Sequence, residues 1–328
     1  MPDALAAPVP APLRNPTIVI AVLAAVTGLL ILGFMTIGAR GDWSFILAFR
    51  GRKLFALLLV GYAVALSTVI FQTITQNRIL TPAIMGFDAL FVLLQSVLVF
   101  LFGGLAVLTF NAQAMFAIET LVMSAFAALI YGFLFFGARR SLHLVMLVGI
   151  VLGTLFRSLT DFLVRLIDPN EFATLQDMFY AGFNAVETDI LGLCCIVLLT
   201  ASLVAWRKFP VWDVLAIGRD SAVNLGVAYH REVLIALALV TLLVSTSTAL
   251  VGPVTFFGLL VANLAYLITP SHKHIHIVPV AALIAAICLI GGQMLLERVF
   301  AFNTSLSIII EFAGGIVFIL LLLRGKAR

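Results

Sequence analysis

The sequence predicts an all-α fold, a polytopic transmembrane helical bundle of about ten spans. Hydrophobic residues make up 63% of the chain and charged ones 10%. The apolar residues fall in long runs, without the alternating or one-faced patterns that mark half-buried strands and amphipathic helices. At 328 residues the chain divides into segments near the roughly 20 apolar residues that cross a bilayer core, joined by short connections. One membrane domain over residues 16–328 is expected, with no soluble domain.

Residues 1–15 read as a leader with four prolines and one arginine. No small-residue cleavage pattern follows the first apolar run, which is expected to stay as a span. The spans read as 16–39, 53–75, 87–108, 113–136, 144–167, 190–206, 232–251, 253–268, 277–300 and 305–323. The longest polar interruption, residues 207–231, is long enough for two short helices, and Gly218 and Gly226 punctuate an interfacial helix within it. Cys194, Cys195 and Cys288 lie inside apolar runs without metal or disulfide spacing.

The net charge of +4 is spread over many loops, which gives no patch for nucleic acid but does give a topology. With the N-terminus inside, Arg78, Arg139, Arg140, Arg207, Lys208, Arg219 and Arg231 fall on the inner side. The opposite side receives Arg50, Arg52, Lys53, Arg298 and a connection with Asp168, Glu171, Asp177, Glu187 and Asp189. That split follows the positive-inside bias and puts both termini in the cytoplasm.

Several polar or small residues carry two readings each. Gly149 and Gly153 have the small-x-x-x-small spacing of closely packed helices, within the chain or at a dimer seam. Arg157, Asp161 and Arg165 share one helical face, as a structural ladder or facing a pathway. His272, His274 and His276 read as a solvated inner loop, since a metal site needs fixed geometry and more ligands. Glu311 reads as an interfacial or helix-paired carboxylate, or as an intramembrane acid. No Gly-rich segment ending in Gly-Lys-Ser or Gly-Lys-Thr occurs, so any ATP-driven step needs another subunit.

Four stretches in order resemble the FecCD family of permeases. Arg50-Gly51-Arg52-Lys53, followed by Leu58-Leu59-Val60-Gly61 and Gln72, is similar to the family's Arg-x-Pro-Arg entry to the second helix, with Lys53 for the second Arg and no proline. The loop from Asn77 through Ile79 and Pro82 to Gly86 resembles Asn-Pro-Leu-Ala-x-Pro-x-x-Leu-Gly. Gly218, Ala222, Leu225 and Gly226 fit the coupling pattern Leu-Gly-x-x-x-Ala-x-x-Leu-Gly, and Gly252-Pro253-Val254-Thr255-Phe256-Phe257-Gly258-Leu259 resembles the opening of the eighth helix. Ala262-Asn263-Leu264-Ala265-Tyr266 and Gly314-Gly315-Ile316 depart from the usual family motifs, a pattern that looks like a branch serving ferric siderophores rather than cobalamin.

The resemblance implies the membrane subunit of an ATP-binding-cassette importer for a ferric siderophore, in the bacterial cytoplasmic membrane. It implies no cofactor, and no enzymatic activity in the chain itself. The implied partners are separate ATPase subunits, an extracytoplasmic siderophore-binding protein, an identical or paralogous permease subunit and membrane lipid. On the same basis Arg50, Lys53 and Arg298 would dock the binding protein. Asn77, Ile79, Pro82 and Gly86 would form the cytoplasmic gate. Gly218, Ala222, Leu225 and Gly226 would couple to the ATPase, while Arg157, Gly149 and Gly153 are pathway candidates. An ion-driven secondary transporter using a mid-membrane acid such as Glu311 is the alternative. An intramembrane enzyme would need a clustered nucleophile, base or metal site, which the sequence does not present.

Overall fold

The structure, a computed structural model, describes residues 15–39, 42–135, 142–184, 186, 188–302 and 304–323. The leader up to Arg14, and Arg139, Arg140 and Glu187 of the charge reading, lie outside the described residues. The first helix, α1 (Pro16–Thr36), starts where the Asn15 side chain accepts from Thr17 N–H and proline occupies the first turn. Helix α2 (Trp43–Thr75) begins at an Asp42 cap, ten residues ahead of the expected span, and runs for 33 residues. At about 1.5 Å per residue it is longer than the roughly 30 Å hydrocarbon core.

After the left-handed Gln76 (φ 51°) the chain crosses a loop and a 3-10 turn at Pro82–Met85, turns at Gly86 and enters α3 (Phe87–Phe102). The expected third span is broken at Gly103, which separates α3 from the short α4 (Gly104–Leu108). Helices α5 (Ala112–Phe135) and α6 (Leu142–Val164) follow. The acidic connection holds an additional helix, α7 (Pro169–Met178), capped by Asp168 and seated by buried Leu175 on Val99 and Val107.

Helix α8 (Thr188–Leu215) continues through Pro210 to Leu215. The expected interruption at residues 207–231 therefore shrinks: its first part is helix, and one six-residue helix, α9 (Arg219–Asn224), replaces the two expected. The remainder is α10 (Tyr229–Val251), α11 (Phe257–Ile268), α12 (His274–Arg298) and α13 (Leu306–Leu323). Seven of the described helices are long and apolar enough to cross a membrane, and Phe87–Phe102, Phe257–Ile268 and Leu306–Val317 are shorter apolar helices.

The core is built on α2, which packs against α10 and α12. Leu57, Leu66, Val69 and Ile70 of α2 are fully enclosed, as are Leu237 and Leu243 of α10 and Leu289 of α12. Small residues bring α2 and α12 together: a methyl group placed on Gly61 would stand 3.3 Å from Ala285 Cβ. Helix α6 packs mainly on α3 and the 3-10 turn, with Val148, Leu152 and Phe156 against the edge of the core. At 12 residues, α11 spans about 18 Å, too little to cross alone. It begins after the segment 252–256, with Gly258 pressed against Thr68 and Val64 of α2.

Candidate functional site

Helices α3 and α11 both begin where the chain has turned sharply, at Gly86 (φ 92°) and Phe256 (φ 56°). Their starts are tied together by the Thr255 hydroxyl, which donates to Asp88 Oδ2 at 3.0 Å. A cavity of about 460 Å³ opens beside this junction. Asp88, Arg157, Asp161, Thr255 and Glu311 contribute its polar lining. Discontinuous helices that start at a charged cavity are the arrangement transport proteins use where irregular backbone must sit inside a bundle.

The sequence singled out Arg157, Asp161 and Glu311 separately, and the fold brings all three to this one cavity. The expected ladder is absent: no ion pair within 4.0 Å joins Arg157, Asp161 and Arg165, and all three are exposed. Asp88 was missed as a site residue, while Thr160 meets the cavity with its hydroxyl enclosed. Asp88 follows the glycine loop as an ordinary first-turn acid, and Thr160 reads as a neutral position on an apolar helix.

Gly149 and Gly153 do not line the cavity. They form the seat for the turn: methyl groups added there would meet Met85 carbonyl oxygen at 3.1 Å and Gly86 Cα at 3.0 Å. The small-residue spacing is thus used within the chain, one of the two readings the sequence allowed.

In the loop before that turn, Asn77 Oδ1 accepts from Ile79 N–H, while the Arg78 carbonyl accepts from the side-chain amides of Gln72 and Asn263. The Arg78 guanidinium stacks 4.7 Å over the Tyr266 ring. Pro82 opens the 3-10 turn and is buried, whereas Ile79 is 45% exposed. This loop joins α2 to α11 through side-chain amides and leaves one apolar residue projecting.

The same end of the bundle holds the coupling candidates. Gln76 donates to the Leu215 carbonyl at 2.9 Å, and Gly218 (φ 117°) starts α9. Leu225, Ile217 and Val223 are exposed apolar residues here, and Gly226 (φ 82°) stands in open space. Ala222 is corrected: it is fully buried in the chain's own core, so no partner reaches it.

The solvated histidine loop holds for the exposed His272 and is corrected for His274. His274 is 2% exposed at the start of α12, with Nδ1 at 2.5 Å from Asp213 Oδ1 and Nε2 at 2.8 Å from Thr73 Oγ1. Phe209 stacks on its ring. Both ring nitrogens are thereby engaged by the chain.

At the opposite end, Arg50 donates to the carbonyls of Phe34, Met35, Ile37 and Gly38, closing the C-terminus of α1. The exposed Arg298 also donates to the Ile37 carbonyl. Lys53 is corrected as a docking cation. It is 6% exposed and donates to Glu297 Oε1 at 2.7 Å, with the Phe49 and Phe302 rings on either side. Arg52, placed on this side by its charge but not among the docking candidates, is exposed beside Thr188.

Comparisons with known proteins accord with this geometry. The chain is 47% identical over 284 residues to the petrobactin import system permease protein YclO of Bacillus subtilis, covering 87% of this chain and 90% of that one. It is 35% identical over 272 residues to the petrobactin import system permease protein FatC of Bacillus anthracis, covering 83% and 77%. In fold it is similar to the inward-facing structure of a metal-chelate type ABC transporter, at a TM-score of 0.81 and 19% identity over 94% of this chain and 99% of that one. Residues 15–324 match the FecCD transport family, and the chain belongs to that family.

Proposed function

We propose that the chain is the permease subunit of an ATP-binding-cassette importer that moves a ferric siderophore across the bacterial cytoplasmic membrane by alternating access. The family match over residues 15–324 carries this reading, and the relatives named as petrobactin import permeases support the substrate class. The chain pairs with an identical or paralogous permease. An extracytoplasmic binding protein delivers the chelate to the end bearing Arg298 and Arg52, with both termini at the cytoplasmic end. ATPase subunits grip the segment 217–228 through its exposed Ile217, Val223 and Leu225. Their closure moves α9 and, through Leu215–Gln76, the loop from Asn77 to Gly86 that serves as the inner gate. The chelate passes by the cavity around Arg157.

The carboxylates of that cavity would serve an ion-driven transporter equally well, and one experiment separates the two. The permease is reconstituted in proteoliposomes with its ATPase and binding protein, and uptake of a radio-iron siderophore is followed. ATP-dependent uptake that persists when ion gradients are collapsed is expected. Uptake without the ATPase, abolished by a protonophore, would overturn the proposal.

A further inference from the structure

We propose that the junction of α2, α10 and the unwound segment 252–256 is a binding site for a single sodium-sized monovalent cation, held by Asp88 and the hydroxyls of Thr68, Thr81 and Thr248. The site goes beyond the import reading and does not depend on which solute the chain moves. A second, smaller cavity shares Asp88 and Phe256 with the one around Arg157, and lies against α2, α10, the 3-10 turn and the start of α11. Its volume of about 30 Å³ has room for a water-sized occupant, since about 10–15 Å³ is enough for one. It is far too small for a chelate.

Thr68 of α2, Thr81 at the start of the 3-10 turn and Thr248 of α10 are 1%, 3% and 4% exposed. All three line the cavity, and among the described residues none of their hydroxyls makes a hydrogen bond, to one another or to Asp88. They differ from Thr241, Ser245 and Thr246 of α10, whose unpartnered hydroxyls are sealed in the packing, because their oxygens stay open to the small space. Ser67 and Ser247, also on its wall, donate to carbonyls of their own helices. Buried hydroxyls without partners cost free energy that a bound group recovers. A water would satisfy the hydroxyls alone, and Asp88 argues for a cation. It is 8% exposed, and among the described residues no ion pair within 4.0 Å neutralises it. The Thr255 hydroxyl and the first turn of α3 offset only part of its charge, and a carboxylate inside a membrane is expected to find a counter-charge. One carboxylate matches a monovalent ion, whereas calcium and magnesium sites gather more anionic oxygen or keep several waters. Unwound backbone between helices supplies the carbonyls that transporters place around sodium, and the segment 252–256 borders this cavity through Gly252, Val254 and Phe256. Thr81 lies in the loop from Asn77 to Gly86, so a bound cation pins that loop to α2 and α10.

The test reads the melting of the purified full chain in detergent, in sodium, potassium or choline chloride at equal ionic strength, and the binding of radioactive sodium to the same preparations. Sodium should raise the melting temperature saturably by about 2–4 °C over choline, as a ligand well above its dissociation constant does. Potassium should raise it less, because the space is too small for the larger ion. Thr68→Val and Thr248→Val keep the side-chain shape, and each should melt in choline at or above the wild type, because an unpartnered hydroxyl has gone. In sodium each should lose most of the shift and of the bound radioactivity, as should Asp88→Asn. Thr241→Val removes an unpartnered hydroxyl outside the cavity and should keep both in full. A wild type that melts equally in sodium and choline and binds no sodium, or a response that survives Thr68→Val combined with Thr248→Val, overturns the site and leaves ordered water as its occupant. Either result leaves the import reading standing. Sodium binding that these variants remove, in a chain whose reconstituted complex moves no chelate, would support the site and overturn the import reading.

Discussion

Asp213 and His274 meet through one oxygen: the backbone N–H of His274 donates to Asp213 Oδ1 at 2.8 Å, and its ring Nδ1 lies 2.5 Å from the same atom. The contact binds the last turn of α8 to the first turn of α12, and Thr73 of α2 reaches the other ring nitrogen. Leu215, two residues on, leads directly into the segment that holds α9. A push on α9 is thus transmitted to three core helices through this junction. Asp213→Ala should lower unfolding stability by about 1–3 kcal/mol, the cost of stranding a buried polar group. It should also raise the ATP hydrolysed per chelate transported. A normal ratio in the folded variant would reduce the junction to a structural one.

Gly86 and Gly153 touch backbone to backbone, since a methyl on Gly153 would stand 3.0 Å from Gly86 Cα, and that atom belongs to a positive-φ turn. Neither side is a flexible side chain that can swing away. Gly153→Ala should destabilise by about 1–3 kcal/mol, as overpacking does, visible as an earlier melting transition in detergent. Gly28→Ala serves as the contrast, because nothing lies within 4 Å of the added methyl, and helix propensity there favours alanine by roughly 1 kcal/mol. Equal melting shifts for both would refute the close approach.

Buried Lys53 and half-buried Glu297 pair at 2.7 Å, with Gln293 also donating to Glu297. Removing one partner strands the other charge, which typically costs about 3–5 kcal/mol. Lys53→Met and Glu297→Gln should each lower yield and melting temperature, and the double variant should recover much of both. Binding-protein affinity at low salt should instead respond to Arg298→Glu and Arg52→Glu, which are reachable from outside. If Lys53→Met weakened docking without loss of stability, the pairing account would fail.

The helical class and the approximate span positions were legible because bilayer crossing imposes runs of apolar residues that survive any tertiary arrangement. The shorter helices were harder. Residues 87–108 read as one span because nothing in composition separates Phe102 from Gly104, although Gly103 (φ 82°) breaks the helix there. Helix α8 overran its expected end because Arg207, Lys208 and Asp213 look like a loop, while the buried Phe209, Trp212 and Leu215 keep the helix against the core. Site residues failed for a different reason. His274 and Asp213 lie 61 positions apart, and Lys53 and Glu297 lie 244 apart, so their pairing is a property of the folded bundle. Ala222 and Leu225 match one motif equally well, yet one faces the core and the other faces outward.

That difference gives a cleaner coupling test. Leu225 is 66% exposed and offers an apolar contact to the ATPase, so Leu225→Glu should leave melting within about 0.5 kcal/mol of wild type, as surface changes do. It should nonetheless abolish co-purification with the ATPase and chelate uptake. Ala222→Arg should act the other way round, lowering yield before any docking is measured, because the arginine would enter a filled core. Gly226→Trp should also block docking, with a backbone strain of about 1 kcal/mol from its φ of 82°. Normal ATPase capture by Leu225→Glu would move the coupling surface elsewhere.

Arg157 is the one cation in the polar lining of the cavity, and among the described residues no carboxylate stands within 4.0 Å of it. A ladder residue held by Asp161 would be needed for folding, whereas a residue that awaits a ligand would not. Arg157→Gln should therefore leave yield and melting temperature near wild type while lowering chelate uptake per folded transporter about ten-fold, equivalent to one lost charge contact of roughly 1.4 kcal/mol. Arg157→Lys should recover part of the uptake, because the charge returns without the planar fork that meets two oxygens at once. A structural ladder gives the opposite pattern: Arg157→Gln and Asp161→Asn would each lower yield, and combining them would restore it. Measuring uptake and thermal stability on the same preparations separates the two, and full uptake by folded Arg157→Gln protein would remove this residue from the pathway.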